Sequence, residues 1–430
     1  MKHLSRFLVI LVAFGVAAFS SEMKWNAIDS GAKGDGKTDD GPAIQKALDA
    51  AAKAGGGEVF LPAGTYRIED HLAVHSGVTL KGIWQAPHHD SQVWGTALFA
   101  VGHRGQEEGP ALIELSPNSA VSGLTIYYPD QRLQDVQPYP WAIRGRGDHG
   151  SVMDVTLVNA YQGIDFGTHV NQLHYIRNVF GTVLRRGIYI DGCYDIGRIE
   201  NVHFNPHYWY LSPTPEAKTM KDFGTKLVDY LNAHTEVFIF GRTDWEYVLN
   251  TFAFGFDKCY KFIQTQRGAC NGNFLGIGAD GGHNAIWAEA TQPYGLLITN
   301  GEFVTFHGEQ PTELVTTESF NGVIQFSNCA FWGPAHRNAV IRGKGLVSFH
   351  QCNFDDWGKN DAKAQSIWID GGEADINSCR FAREKPNIYL GPNVINAVIM
   401  GNHFTGKMQI DNQSQGQVEM GLNVTRPGKK

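Results

Sequence analysis

Two short runs concentrate side chains able to move protons. Arg242-Thr-Asp-Trp-Glu-Tyr247 holds Asp244 and Glu246 beside a guanidinium and an indole. Gly278-Ala-Asp-Gly-Gly-His-Asn284 sets Asp280 and His283 in a glycine-rich turn. Carboxyl groups on either side of a sugar–sugar bond are what glycoside hydrolysis needs. One protonates the leaving oxygen, and another activates water or attacks the ring. Asp244, Glu246 and Asp280 are the expected acids, with His283 tuning or shuttling the proton. Arg242, Trp245, Lys261, Trp287 and Glu289 are expected to hold the substrate. Aromatic faces suit sugar rings, and charged groups suit hydroxyls. The same residues allow a second chemistry, a lyase or epimerase acting on a uronic acid. That reaction needs a cation beside the carboxylate and a base for the C5 proton, and Arg242, Lys261 and His283 offer both. No cofactor or metal is expected, except that Ca²⁺ would serve a lyase. A third reading is a non-catalytic glycan-binding module.

The elements that would position these groups are legible as a repeat. An Asn is followed three residues later by Phe at Asn201…Phe204, Asn271…Phe274, Asn300…Phe303 and Asn328…Phe331. Gln351…Phe354, Ser378…Phe381 and Gly401…Phe404 continue the frame, while Asn178 and Asn250 mark looser turns. From Phe274 the Phe spacings are 29, 28, 23, 27 and 23, a period that means one coil of a solenoid. Each coil is expected to hold three short strands. One begins at the Asn frame, with Cys329 and Phe331 inward and Ala330 outward. A second includes Gly187-Ile-Tyr-Ile, Val237-Phe-Ile-Phe, Ala285-Ile-Trp-Ala and Ser366-Ile-Trp-Ile. A third places Ile199, Val248, Ile298, Phe326, Phe349, Ile376 and Ile399 at one inward position. The Asn is then the bend between two sheets, since Asn tolerates left-handed backbone and bonds to its neighbours.

Alternation on the second strand assigns its outward residues: Asp165, Tyr189 with Asp191, Phe238 with Phe240, Lys261, Trp287 with Glu289, Thr316 with Glu318, Trp368 with Asp370, and Tyr389. This mixture suits a carbohydrate groove. Glu246 falls where other coils have Leu296, Ile324 and Val347, which predicts a partly buried carboxyl of raised pKa. A long insertion near 205–235 carries Tyr208-Trp209-Tyr210. A helix is expected there, capped by Thr214, started by Pro215, and striped by Phe223, Leu227 and Tyr230.

Ahead of the coils stands Asp29-Ser-Gly-Ala-Lys-Gly-Asp-Gly-Lys-Thr-Asp-Asp40, then Gly41-Pro-Ala-Ile-Gln-Lys-Ala-Leu48. It ends Gly55-Gly-Gly-Glu-Val-Phe-Leu-Pro-Ala-Gly-Thr-Tyr-Arg-Ile68. Ile44, Ala47, Leu48 and Ala51 share one helical face, Pro42 suits a first turn, and Gly55 to Gly57 stop the helix. Such a helix would cover the open end of a coil. This run resembles the leading segment of the pectate-lyase superfamily. The resemblance implies an all-β, single-stranded right-handed parallel β-helix with an N-terminal capping helix. It also implies a carbohydrate-active enzyme, related to the polygalacturonases. Those hydrolases place Asn-Thr-Asp, Asp-Asp, Gly-His-Gly and Arg-x-Lys on successive coils. The degenerate counterparts here are Thr235-Glu236, Asp257-Lys258, Gly282-His283-Asn284 and Arg342-Gly343-Lys344. Glu236, Asp257, Arg342 and Lys344 are second-tier candidates on that basis.

Residues 1–20 read as a signal peptide: Lys2, His3 and Arg6, an apolar run from Phe7 to Phe19, and small residues for cleavage. The division expected is therefore 1–20 leader, 21–68 cap and first strand, and 69–425 β-helix. The location expected is secreted or periplasmic. A net charge of −7, with only 18% charged residues, argues against nucleic acid and an anionic membrane as partners, and against a strongly polyanionic substrate unless a local basic groove overrides it. No membrane contact is expected once the leader is removed; the expected partner is a polysaccharide. Of six cysteines, Cys329, Cys352 and Cys379 recur in one frame and read as a buried stack rather than bridges; Cys193, Cys259 and Cys270 stay open. His88-His89-Asp90 reads as a loop with little claim to a metal.

Overall fold

A computed structural model of the chain describes residues 23–86 and 95–427. The expected leader and the His88-His89-Asp90 run lie outside the described residues. The chain winds as a parallel β-helix, and each coil pairs in parallel with the next. Three faces result. Face A contains Glu236–Phe240, Lys258–Phe262, Asn284–Ala288 and Thr312–Thr316. Face B contains Glu246–Leu249, Cys270–Leu275 and Val323–Ser327. Face C contains Phe252–Phe254, Gly278–Gly282 and Ala330–Phe331.

The cylinder is filled by columns of like side chains. On face B, Ile199, Val248, Phe274, Ile298, Phe326 and Phe349 stand one above another. On face C the column runs Phe303, Phe331, Phe354, Phe381, Phe404. Its rings stack at 5.0 Å (Phe354–Phe381) and 4.8 Å (Phe381–Phe404). Cys329, Cys352 and Cys379 are buried beside them, and all six thiols are free.

The bend between faces B and C is left-handed at Asn178, Asn201, Asn250, Asn300, Asn328, Gln351 and Ser378, with φ between 51° and 56°. The amides form a ladder: Asn201 donates to Asn178 at 2.8 Å, and Asn328 donates to Asn300 at 2.7 Å. Asn271 is not part of it. The left-handed residue of that coil is Gly276, φ 65°. Phe274 belongs to face B, and Ala279 takes the face C position. Two buried layers both accept Phe, so an Asn-x-x-Phe spacing arose there without the bend.

On two strands of face A the inward and outward residues are the reverse of those expected from alternation. Phe238 and Phe240 point inward, above Ile188 and Ile190, and Ile239 takes the outward place. Thr316 is likewise buried, and Val315 stands outward over Trp287. The neighbouring coil sets register here. Phe238 stacks on Tyr260 at 4.9 Å, and this aromatic pair fills the core better than Val237 and Ile239 would.

Helix α1 (Gly41–Lys53) lies against the first strands and buries Ile44, Ala47, Leu48 and Ala51, the face read from the sequence. The insertion forms α2 (His207–Tyr210), α3 (Pro215–Thr219) and α4 (Phe223–His234). Pro215 starts α3, but the chain breaks at Asp222, φ 57°, before α4 begins. Phe223, Leu227 and Leu231 pack with Trp209 against Val158 and Leu184 on the coil's flank. Leu231 takes the fully buried place on the i, i+4, i+8 line, and the expected Tyr230 packs partly buried against the same cluster.

Candidate functional site

Face A carries one continuous outward ladder: Arg144, Asp165, Tyr189, Ile239, Lys261, Trp287. Its first half is a shielded network of charges. Arg144 Nε donates to Asp165 Oδ2 at 2.7 Å and lies 3.7 Å from Glu114, and all three are almost fully buried. Asp165 also accepts from the amides of Gly167 and Thr168. Asp191 is held by Arg267 at 3.0 Å, whose guanidinium also donates to the carbonyls of Gly167 and Thr168. Tyr189 stands among them, its ring stacked on Trp141 at 6.3 Å. Burial pushes its phenol up to about 12, the Asp191 and Asp165 charges add to this, and Arg267 opposes. Tyr189 therefore keeps its proton at neutral pH. His169, in the turn after Asp165, is lowered by burial and by the nearby Arg146 and Arg144, so its imidazole is held neutral.

The second half opens into a cavity of about 260 Å³ lined by Arg186, Tyr189, Glu236, Ile239, Lys261 and Ile263. Its size is near the lower end for ligand pockets, roughly 300 Å³. Glu236 and Lys261 pair across one coil at 2.8 Å. Lys258, on the same strand as Lys261, holds its Nζ 5.1 Å over the Trp287 ring of the next coil, and Trp287 Nε1 donates to Glu289 at 3.3 Å. Asp257 joins Lys258 at 2.5 Å and His283 at 3.1 Å. Burial alone would raise the Asp257 carboxyl, but bonds from His283 and Lys258 outweigh it and hold it below its usual value. This stretch offers aromatic faces, cations and carboxylates side by side.

The expected residues divide. Lys261, Trp287, Glu289 and His283 meet on face A or its edge, joined by the second-tier Glu236 and Asp257. Arg342 and Lys344 lie three coils beyond Lys261, roughly 14 Å away. The three expected acids stand on three different sides. Asp244 is exposed in the turn after Phe240, 3.6 Å from Arg242, and Arg242 lies 5.3 Å over Tyr194. Trp245 follows in a left-handed conformation, φ 62°. Glu246 stacks in register with Gly272, Leu296, Ile324 and Val347, as its frame predicts, but it is wholly inside, 0% exposed. Asp280 is outward on face C beside Phe254; burial raises its carboxyl, and Glu302 adds to this. No two of these acids flank one site.

Arg144, Arg186, His169 and Arg267 had no sequence signal of their own. Arg267 comes from a tight turn, the Thr265–Gly268 bridge, and reaches back toward coils laid down earlier. Asp165, Tyr189 and Asp191 were visible as outward residues, and only the stacking of coils gathers them. The carboxylates of this network are already matched by arginines. A Ca²⁺ ion takes six to eight oxygens, and the residues here do not form that set.

Residues 25–99 match the family described as rhamnogalacturonase A/epimerase, pectate lyase-like. Alginate lyase 7 of Azotobacter vinelandii is 67% identical over 46 residues, 11% of this chain and 5% of that protein. The chain thus spans about a twentieth of that relative's length. The A-module of mannuronan C-5 epimerase AlgE6 from the same organism has TM-score 0.50 at 14% identity, covering 94% of this chain and 100% of the other. The N-terminal fragment of bacteriophage Phi29 gene product 12 has TM-score 0.55 at 12% identity, covering 93% and 71%. The structural likenesses bear out the coil, and the sequence likeness is confined to the N-terminal segment. The N-terminal segment is thus similar to the pectate-lyase-like family, and the chain as a whole shares the parallel β-helix fold.

Proposed function

We propose that this protein is a carbohydrate-active enzyme that removes the C5 proton of a uronic acid in a polysaccharide, as a lyase or an epimerase. The observation that carries the reading is the face A cavity, lined together by a protonated Tyr189, two cations, Arg186 and Lys261, and Glu236. A uronate carboxylate placed between the cations has its charge offset, which makes the neighbouring C5 proton easier to remove. That carboxylate also competes for Lys261 and frees Glu236 to act as base. Tyr189 then donates its proton, to the leaving oxygen in a lyase or to the opposite ring face in an epimerase. Trp287 and Glu289 extend the binding face for further sugars, and the Asp257–His283 pair holds its edge.

Hydrolysis by Asp244, Glu246 and Asp280 is not proposed, because these groups do not converge. The related lyase and epimerase names support a uronate substrate, and alginate-type polymers are the first to try. A secreted or periplasmic location belongs to the same proposal, resting on the basic and apolar start of the sequence. No helix among the described residues is long and apolar enough to cross a membrane.

The test is incubation with a panel of polyuronates in deuterated water. New ultraviolet-absorbing unsaturated ends are the expected outcome for a lyase, and deuterium at C5 for an epimerase. New reducing ends with neither signal would sink the proposal.

A further inference from the structure

Beneath the surface chemistry, three coils meet inside the cylinder at the corner between faces A and B. Asn171, Cys193 and Thr243 stack there as one column. Just past them, His174 and Glu246 approach across Gly197, which has no side chain to separate them. A Cβ on Gly197 would lie 2.4 Å from His174 Nε2 and 2.5 Å from Glu246 Oε2, so both atoms converge over its bare face. His174, Cys193 and Glu246 are each 0% exposed.

We propose that His174, Cys193 and Glu246 form a structural site for one divalent cation of borderline softness, with Zn²⁺ the best match. One donor atom from each lies within 4.8 Å of the others, the single such group among the described residues. His174 Nδ1 donates to Asn171 Oδ1 at 2.8 Å, and the Asn171 amide is itself fixed by the Phe166 carbonyl at 2.6 Å. That leaves Nε2 facing the other two donors, the usual posture of a metal-binding imidazole. Glu246 Oε1 is 2.9 Å from Nε2, while Oε2 is buried with no hydrogen-bond partner. An unpartnered carboxylate oxygen in the interior is costly, and a cation satisfies it.

Imidazole, thiolate and carboxylate are zinc donors, whereas Ca²⁺ wants oxygen alone. A tetrahedral Zn²⁺ spaces its donor atoms by roughly 3.3–3.8 Å, within the limits set by the 2.9 Å contact and the 4.8 Å span. On binding, Cys193 releases its thiol proton and His174 releases the Nε2 proton it shares with Glu246, both to solvent. Thiolate and carboxylate together then balance the two positive charges. The ion would pin three successive coils at the corner that begins two residues after Asp191. The proposal does not depend on the reaction at face A.

The experiment uses the full chain, purified without chelator and also refolded with Zn²⁺ or Co²⁺. Elemental analysis should find about one metal per chain. The Co²⁺ form should show thiolate-to-metal charge transfer in the near ultraviolet. Cys193→Ser should lose that band, and His174→Gln should lose the metal. Absence of stoichiometric metal in the refolded wild-type chain would overturn the site, whatever the variants do. So would a thiolate band that survives Cys193→Ser.

Discussion

A phenol makes a poor acid and a dependable proton reservoir, and Tyr189 is placed for the second role. Its ring is shielded, and Asp165 and Asp191 discourage ionisation. Tyr189→Phe should leave the fold unchanged and lower kcat by about 10²–10⁴-fold, the range for losing one proton donor; initial rates on the active polyuronate check this. Glu313 makes a separate case. It is fully buried, accepts from Asn338 at 2.9 Å, and is pushed well above 4.5 by burial. The folded chain therefore holds a proton that the unfolded chain gives up above pH about 4.5, so this group costs stability as pH rises. Glu313→Gln should be more stable than the parent at neutral pH. The gap should grow by about 1.4 kcal/mol per pH unit until the folded carboxyl ionises, and close near pH 4. Melting curves at pH 4 and pH 7 decide it. At this scale the sequence was only partly legible. Lys261, Trp287, Glu289 and His283 could be read from alternation and turn chemistry. Arg144 and Arg267 could not, because their partners are one or more coils away and no local pattern marks them.

The strands of a coil are short and individually weak, so the columns between coils hold them. Phe354 stands between Phe331 and Phe381 in parallel-stacked contact. Phe354→Ala should cost about 3–5 kcal/mol, and denaturant unfolding followed by near-ultraviolet dichroism measures it. The Asn ladder separates two effects that sequence alone merges. Asn328 has φ 55° and bonds to Asn300. Asn328→Gly keeps the backbone and loses only the side-chain bond, about 0.5–1.5 kcal/mol. Asn328→Ala adds the left-handed penalty, roughly 1–2 kcal/mol, and should be the less stable of the two in the same measurement. Recurrence made this column readable. Register failed at Phe238 and Phe240, where every residue of Val237-Phe-Ile-Phe is apolar. Alternation carries no information when both parities are greasy; only the neighbouring coil decides which pair points in.

On the scale of the molecule, a solenoid passes contacts only from one coil to the next, so its stability is local. Helix α1 covers the first coil, and its apolar face was legible because helical and strand periods differ. The wrapping of faces A, B and C around one core followed from the repeat length. What no single coil displays is the outward ladder of face A, a property of six stacked coils at once. The thiols of Cys329, Cys352 and Cys379 extend this point. They sit on three successive coils, each at most 1% exposed. A modifying reagent reaches one of them only when its own coil parts from a neighbour. Labelling rates at the three positions, followed by mass, would time the breathing of adjacent rungs separately. If the fold opened only as one unit, the three rates would coincide; a solenoid should give three different clocks.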